Sequence, residues 1–518
     1  MKKILLSIWI VLGCFTLMRC DDPYMDDAFA AYEELPVGEW LEAQPEFSLW
    51  VELMKKADLF DAVNVGSKFT CFVADNEAVT DYLHEYGWNS IAEMDLEKAK
   101  LLVRYHLIAD VTYKSKDLVG KLGNKTLSGD YLTAEFTDGG YNAIYINKQA
   151  LVIKADQELL NNTVVHILDK VLRPVIATTW DLIDQDSVRY SVFRAAALEC
   201  RLDTLLSRYE RKFSDVVSVR DYKTVFIESD SVFRVAGIHS LNDLVEHLKT
   251  RYQSDNRAEV LQKFMYYHVS KDLKDFQALG TFDKNVETKV QNLNTYDATQ
   301  LISVKDVKSH LVFNADADGK GVMLVEGQYD KIANNGYLHE LDGILYLAEA
   351  EPAVVVWELT DYECFRALSL YQKWSSNDDG KKLEIDREMA KAEGVTWKTV
   401  PDDDAALRYY LRSGQYFYEN DAVSMSLGYV GWAQFKMPVI AKGKYKVTLH
   451  SIRYDSRGTA KLAIDNQIIS ASLNFASGSY TADIGTVEFS EQSSHLFKIT
   501  ALKKGDIDID CLVFTPVK

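Results

Sequence analysis

Residues 161–172 and 334–345 are two versions of one pattern, and no other feature constrains the fold of this chain as strongly. Asn161-Asn162-Thr163-Val164-Val165-His166-Ile167-Leu168-Asp169 lies over Asn334-Asn335-Gly336-Tyr337-Leu338-His339-Glu340-Leu341-Asp342 without a gap. A repeat of this kind fixes the architecture before any single element is assigned. Three further blocks keep the same order. Phe47 to Leu59 matches Tyr190 to Leu202, Thr70-Cys71-Phe72-Val73 matches Thr224-Val225-Phe226-Ile227, and Arg104-Tyr105-His106-Leu107 matches Tyr266-Tyr267-His268-Val269. The separation grows from 143 residues at Phe47/Tyr190 to 173 at Asn161/Asn334, as longer loops in the second copy would produce. Each copy has the length of an ordinary domain.

Phe69 to Ala74 is a short apolar run ended by Asp75-Asn76, which predicts a buried strand meeting a helix cap. Val164-Val165 and Val171-Leu172, with His166 and Asp169 between them, predict a strand of mixed facing. His106, His166, His268 and His339 are the tempting metal ligands. A zinc site needs three or four convergent ligands, and neither His-x-His nor Cys-x-x-Cys spacing occurs, so no metal and no cofactor is expected. A histidine among Tyr, Leu and Val more simply donates to a carbonyl or a carboxylate.

These blocks resemble the fasciclin-type adhesion domain. Phe69-Thr70-Cys71-Phe72-Val73-Ala74-Asp75-Asn76-Glu77-Ala78-Val79, Tyr105-His106 and Asn161 through Pro174 are similar to its strand-and-turn, Tyr-His and closing motifs. The second copy departs at Glu228-Ser229-Asp230-Ser231, where the family has a proline-containing turn. The resemblance implies mixed α+β domains used for adhesion or ligand display rather than catalysis. It assigns structural roles to Tyr105, His106, His166, Asp169, Tyr267, His268, His339 and Asp342.

The chain opens with Lys2-Lys3 and an apolar stretch from Ile4, the pattern of a secretory signal and shorter than the ~20 residues of a membrane span. Leu17-Met18-Arg19-Cys20 resembles a bacterial lipobox and implies acylation of Cys20, with Cys14 after Gly13 as the alternative. Asp21-Asp22 and Asp26-Asp27 then resemble the surface-export signal of lipoproteins of the Bacteroidetes. The expectation is an outer-membrane, cell-surface protein held by lipid alone. The scattered Cys71, Cys200, Cys364 and Cys511 argue against a disulfide framework. A formal charge of −19 with no basic stripe argues against nucleic acid as a partner.

Val354 to Tyr371 reads as an apolar helix, and Ser375 to Lys382 as a polar linker. Short alternating runs follow: 444–450, 459–464, 485–489, 495–499 and 507–514. Strands at this spacing predict an all-β sandwich. Gly443-Lys444-Tyr445-Lys446-Val447, Lys461-Leu462-Ala463-Ile464-Asp465-Asn466 and Ile507 through Pro516 resemble the galactose-binding-like jelly rolls of carbohydrate-binding modules. Sugars present C–H faces that stack on aromatic rings. Tyr454 with Arg453, Asp455 and Arg457 is therefore the candidate carbohydrate loop, with Trp432 or Tyr418 as a second platform.

Two acidic motifs carry less. Asn314 to Gly321 resembles a calcium loop, yet Val325 stands at the twelfth position where a bidentate carboxylate is needed, so an Asp/Gly-rich hairpin turn is expected. Pro401-Asp402-Asp403-Asp404 reads as a solvated turn and helix start. Nucleophile-elbow, phosphate-loop and zinc-protease motifs are missing, and Glu351/Glu358 cannot be given glycosidase geometry from sequence.

The sequence thus predicts a multidomain chain: a signal over 1–20, an acidic tether over 21–44, fasciclin-like domains over 45–175 and 176–352, a helix and linker over 353–382, and a galactose-binding-like β-sandwich over 383–518. Its expected function is non-catalytic binding or display of extracellular polysaccharide alongside glycan-import machinery. The alternative is an adhesin or matrix protein contacting other proteins or cells through the fasciclin-like copies.

Overall fold

The computed structural model describes residues 35–64, 68–136, 144–212, 218–282, 289–371, 380–398, 406–411, 420–453 and 455–517. Cys14, Cys20 and the acidic residues after it lie outside the described residues, as do most of the 375–382 linker, Pro401 to Asp404, Tyr418 and Tyr454. Contacts divide the chain into two compact units, Met1–Pro174 and Val175–Lys518.

In the first unit β1 (Phe69–Ala74) lies between β2 (Leu107–Ala109), antiparallel, and β7 (Thr163–Leu168), parallel. The sheet continues through β6 (Ala150–Leu159), β5 (Ile144–Ile146), β4 (Tyr131–Phe136) and β3 (Gly120–Lys125). All six residues of β1 are buried, because Cys71 and Val73 pack into the core beneath the helices while Phe72 packs into a second core. Asp75 ends the strand and caps the next helix, its side chain accepting from the Ala78 amide at 2.9 Å. β7 differs from expectation: it is buried at every position, His166 included, and stops at Leu168. Helices Ser48–Lys56 and Leu96–Tyr105 cover the sheet with Trp50, Leu53, Leu102 and Val103.

The second unit begins with the second copy. After a short hairpin of β8 (Glu210–Lys212) and β9 (Ser218–Arg220), β10 (Lys223–Glu228) lies between β11 (Val269–Ser270), antiparallel, and β17 (Gly336–Leu341), parallel. The register is that of the first copy: Phe72 faces His166 and Phe226 faces His339. Here the β-structure splits in two. β16 (Lys331–Ala333) extends the β10 sheet, while β12 (Val290–Asn294), β13 (Leu301–Val307), β14 (His310–Phe313) and β15 (Val322–Met323) form a separate four-stranded sheet. The 314–321 segment is the β14–β15 hairpin turn: Asp316 Oδ1 accepts from the Asp318 and Lys320 amides, each at 2.9 Å.

The remainder is a sheet-rich body. Val355 to Glu358, expected within a helix, instead forms β18 against β29 (Ile507–Pro516), and only Glu363–Tyr371 is helical. A run of β-branched residues before Trp357 favours strand over helix once a partner edge exists. One sheet also holds β19 (Lys382–Glu384), β21 (Ala406–Leu411), β22 (Asp421–Ser426), β24 (Gly443–Ser451) and β27 (Thr481–Phe489). The other runs β20 (Val395–Lys398), β23 (Trp432–Ile440), β28 (Ser493–Lys503), β25 (Thr459–Ile464) and β26 (Gln467–Asn474). The two sheets share one core, in which Phe435, Phe497 and Ile499 of the second meet Tyr445, Val447 and Phe514 of the first. The alternating runs at 459–464 and 507–514 are strands as expected. Among the described residues no helix is long and apolar enough to cross a membrane.

Candidate functional site

The residues shared by the two copies build the same bonds twice. Thr70 Oγ1 donates to the Val111 carbonyl (2.9 Å) and accepts from the Tyr113 amide (2.8 Å). Thr224 does the same with Asp272 (2.7 Å) and Lys274 (2.8 Å). The Tyr105 and Tyr267 hydroxyls each accept from an asparagine, Asn147 and Asn314, at 2.8 Å. Both asparagines have positive φ, 51° and 49°, a conformation asparagine tolerates better than most residues. Asp169 accepts from the Leu151 amide and Asp342 from the Met323 amide, each at 2.7 Å.

The four histidines belong to this framework. His166 and His339 stack on Phe72 and Phe226 and donate from Nε2 to the carbonyls of Tyr113 and Lys274, each at 2.9 Å. His106 donates from Nδ1 to the Leu102 carbonyl (2.8 Å) and accepts at Nε2 from the Leu172 amide (2.9 Å). These bonds define the neutral tautomer and leave His106 no ring nitrogen for a metal. His268 diverges: its Nδ1 still meets the Phe264 carbonyl (2.7 Å), but its Nε2 meets Glu228 Oε1 at 2.8 Å. The same oxygen accepts from the Leu345 amide at 2.8 Å, so a carboxylate has been inserted where the first copy has a direct amide-to-imidazole bond.

Burial pushes His106 down to about 4, against an ordinary value of 6.5. Its neutral ring therefore contributes stability that is fully present above pH 6.5 and lost as pH falls toward 4. Chemical denaturation of the first unit, followed by exchange protection of β1, is expected to show a loss of about 2 kcal/mol between pH 7.5 and 5. A flat profile over that window would contradict the assignment.

The candidate carbohydrate residues are distributed unevenly. Arg453 is 8% exposed, lies 4.8 Å from the Phe475 ring centre and donates to the Asn474 carbonyl, so its guanidinium is turned into the protein. Asp455 is exposed in the following turn. Nearby Arg457 pairs with buried Asp508, and Lys382 reaches Ser424 Oγ (2.7 Å) and Asp506 (3.2 Å). Trp432 is half-buried at the start of β23, on the sheet face opposite the core. Thr500 pairs with Trp432 on one side and Lys461 on the other, so β23 and β25 begin at the same end of their sheet. The 452–458 loop leads into β25 there, which brings Asp455 and Trp432 to one end of the body.

Tyr429 is a further aromatic at this end, outside the candidate loop and platforms read from the sequence. It is 60% exposed in the turn just before Trp432, with Lys504 Nζ 5.9 Å from its ring centre. The usable signal was Leu427-Gly428-Tyr429-Val430-Gly431, a glycine-bracketed turn that cannot bury a tyrosine in a strand. Elsewhere in the body, His450, Asp510 and Cys511 bring one potential ligand atom each within 4.8 Å of one another. Cys71, Cys364 and Cys511 are buried free thiols whose burial pushes their pKa values up.

Residues 45–174 match the fasciclin domain model, so the first unit contains a fasciclin domain. Protein sll1483 of Synechocystis sp. is 28% identical over 128 residues, covering 25% of this chain and 67% of that protein. Human stabilin-1 is 30% identical over 128 residues, and rat stabilin-2 is 26% identical over 189; they match 25% and 36% of this chain. The chain spans only 5% and 12% of the length of those two relatives. Among solved structures, the FAS1 domain pair of the insect cell-adhesion molecule fasciclin I overlaps 57% of this chain and 95% of its own, at 16% identity and a TM-score of 0.26. A family 35 carbohydrate-binding module from Clostridium thermocellum overlaps 26% of this chain and 99% of its own, at 11% identity and a TM-score of 0.19.

Proposed function

We propose that the chain is a non-catalytic, lipid-anchored surface protein whose C-terminal jelly-roll sandwich binds extracellular polysaccharide beside glycan-import machinery. In this reading an acylated Cys20 anchors the chain, and two fasciclin-like domains precede the sandwich in it. The observation that carries it is that exposed Tyr429 and half-buried Trp432 lie three residues apart at the end of the body that also bears Asp455. Aromatic faces next to polar turn residues suit sugar rings, whose C–H faces stack while their hydroxyls bond. That end also lies away from the second copy. The opposite ends of β23 and β28 meet that copy through Leu301, Ala350, Val439 and Ala441, and through Gln492 Oε1, which accepts from the Ala350 amide at 3.0 Å.

Affinity electrophoresis of the purified chain through gels containing plant, host and microbial polysaccharides tests the reading. At least one polysaccharide is expected to retard the chain, and Tyr429→Ala and Trp432→Ala to weaken that binding roughly tenfold each. Unaltered mobility in every gel would reject it. The fasciclin domain match favours a second reading, adhesion to proteins or cells through residues 45–350. Cell or protein attachment that survives loss of both aromatic rings would support that alternative.

A further inference from the structure

The sheet that carries Trp432 is set apart by charge. Its five strands contain Lys398, Lys436, Lys461, Lys498 and Lys503 and no aspartate, glutamate or arginine. The facing sheet mixes signs with an acidic excess: Glu358, Glu384, Asp421, Asp483, Glu488, Asp508 and Asp510 against Lys382, Arg408, Lys444 and Lys446. In a chain of net charge −19, five carboxylate-free strands form a local reversal of sign.

Strand alternation puts that charge on the outside. Ala433, Phe435 and Met437 of β23 and Phe497, Ile499 and Ala501 of β28 are buried in the core. Trp432, Gln434, Lys498 and Thr500 therefore occupy the other face. Lys398, Trp432, Thr500 and Lys461 are successive partners across four strands, a row about 14 Å long at ordinary strand spacing. Lys498, next on its strand, holds its ammonium 4.8 Å from the Trp432 ring centre. Lys382 and Lys446, on the facing sheet, form ion pairs with carboxylates. Among the described residues, Lys398, Lys461 and Lys498 have no such partner.

We infer that this face holds a polysaccharide bearing anionic substituents. One ring stacks at Trp432 while its neighbours' carboxylates or sulfates reach Lys398, Lys461 and Lys498. The inference rests on the glycan reading above and adds the charge of the glycan and the surface that reads it. A neutral glycan would leave unused three ammonium groups that have no carboxylate partner among the described residues. Nucleic acid is less suited, because three lysines about one indole neutralise few phosphates while the rest of the chain repels them.

Affinity electrophoresis of the full chain compares polygalacturonate with its methyl ester, and dextran sulfate with dextran, at about 50 and 150 mM salt. Retardation is expected with the acidic member of at least one pair and not with its neutral twin, weakening as salt rises. Carboxylate and sulfate are distinguished by which pair responds. Charge reversal by Lys398→Glu with Lys461→Glu and Lys498→Glu should weaken the acidic interaction at least a hundredfold. Lys398→Gln with Lys461→Gln, a milder change on solvent-facing positions, should weaken it about tenfold and guards against misfolding of the triple variant. Binding of neutral glycans alone would overturn this inference and leave the glycan reading standing, whereas binding of no polysaccharide would overturn both. Equal retardation by single-stranded DNA, or mobility set by protein concentration rather than by sugar, would assign the face to general polyanions or to a second copy and would also overturn it.

Discussion

Gly336→Ala is expected to unfold the second copy. Gly336 opens β17 at φ +146°, and a Cβ there would lie 1.7 Å from the Lys223 carbonyl oxygen and 2.8 Å from its carbon. Both atoms belong to the backbone of β10, so relief requires parting the parallel pair that defines the copy. A clash of this kind in a buried sheet costs more than about 4 kcal/mol, at the extreme of single substitutions. Exchange protection of β10 and β17 should collapse at pH 7 while β1 and β7 of the first unit keep theirs. Thr163 fills the matching place in the first copy with ordinary extended backbone, φ −78°, so the positive φ that demands glycine belongs to the second copy. A loss below about 1 kcal/mol would show that the two strands can separate locally, contrary to the packing described.

Glu228→Ala should be the next most damaging change, although the first copy has alanine at the equivalent place, Ala74. Glu228 Oε1 accepts from the Leu345 amide and lies 2.8 Å from His268 Nε2, and all three groups are buried. Removing the carboxyl group leaves the Leu345 amide and His268 Nε2 without their shared partner in the interior, which costs on the order of 3 kcal/mol. Glu228→Gln keeps an acceptor of the same reach and should lose no more than about 1 kcal/mol. Urea denaturation of both variants at pH 7 decides the matter. Equal stability of the alanine variant and the parent would mean that Leu345 reaches His268 directly, as Leu172 reaches His106.

The repeat was legible because its residues make backbone-directed bonds. Thr70, Tyr105, Asp169 and their counterparts act through fixed offsets from a strand or helix end, so their spacing survives in the sequence. Glu228 and Lys223 were not legible. Lys223 opens and Glu228 closes a buried strand, and nothing local reveals that Lys223 Nζ finds the Arg208 and Asp221 carbonyls at 2.7 and 2.8 Å. Desolvation there depresses its pKa to about 8. The strands of the body were legible from their alternation, 459–464 to the residue. Val355 to Glu358 was misread because a short apolar run does not declare its period. Arg453 has the composition of a recognition loop, and only the distant Phe475 shows that it points inward. The lysines around Trp432 come from three other strands, and their assembly depends on register, which no single segment carries.

Hydrogen–deuterium exchange of the full chain, with and without a polysaccharide that retards it, tests the placement of binding most directly. Protection is expected at 428–434, 396–398 and 459–461, with β1, β7, β10 and β17 unchanged. Protection confined to residues 45–345 would contradict the account and give the recognition surface to the fasciclin-like copies instead.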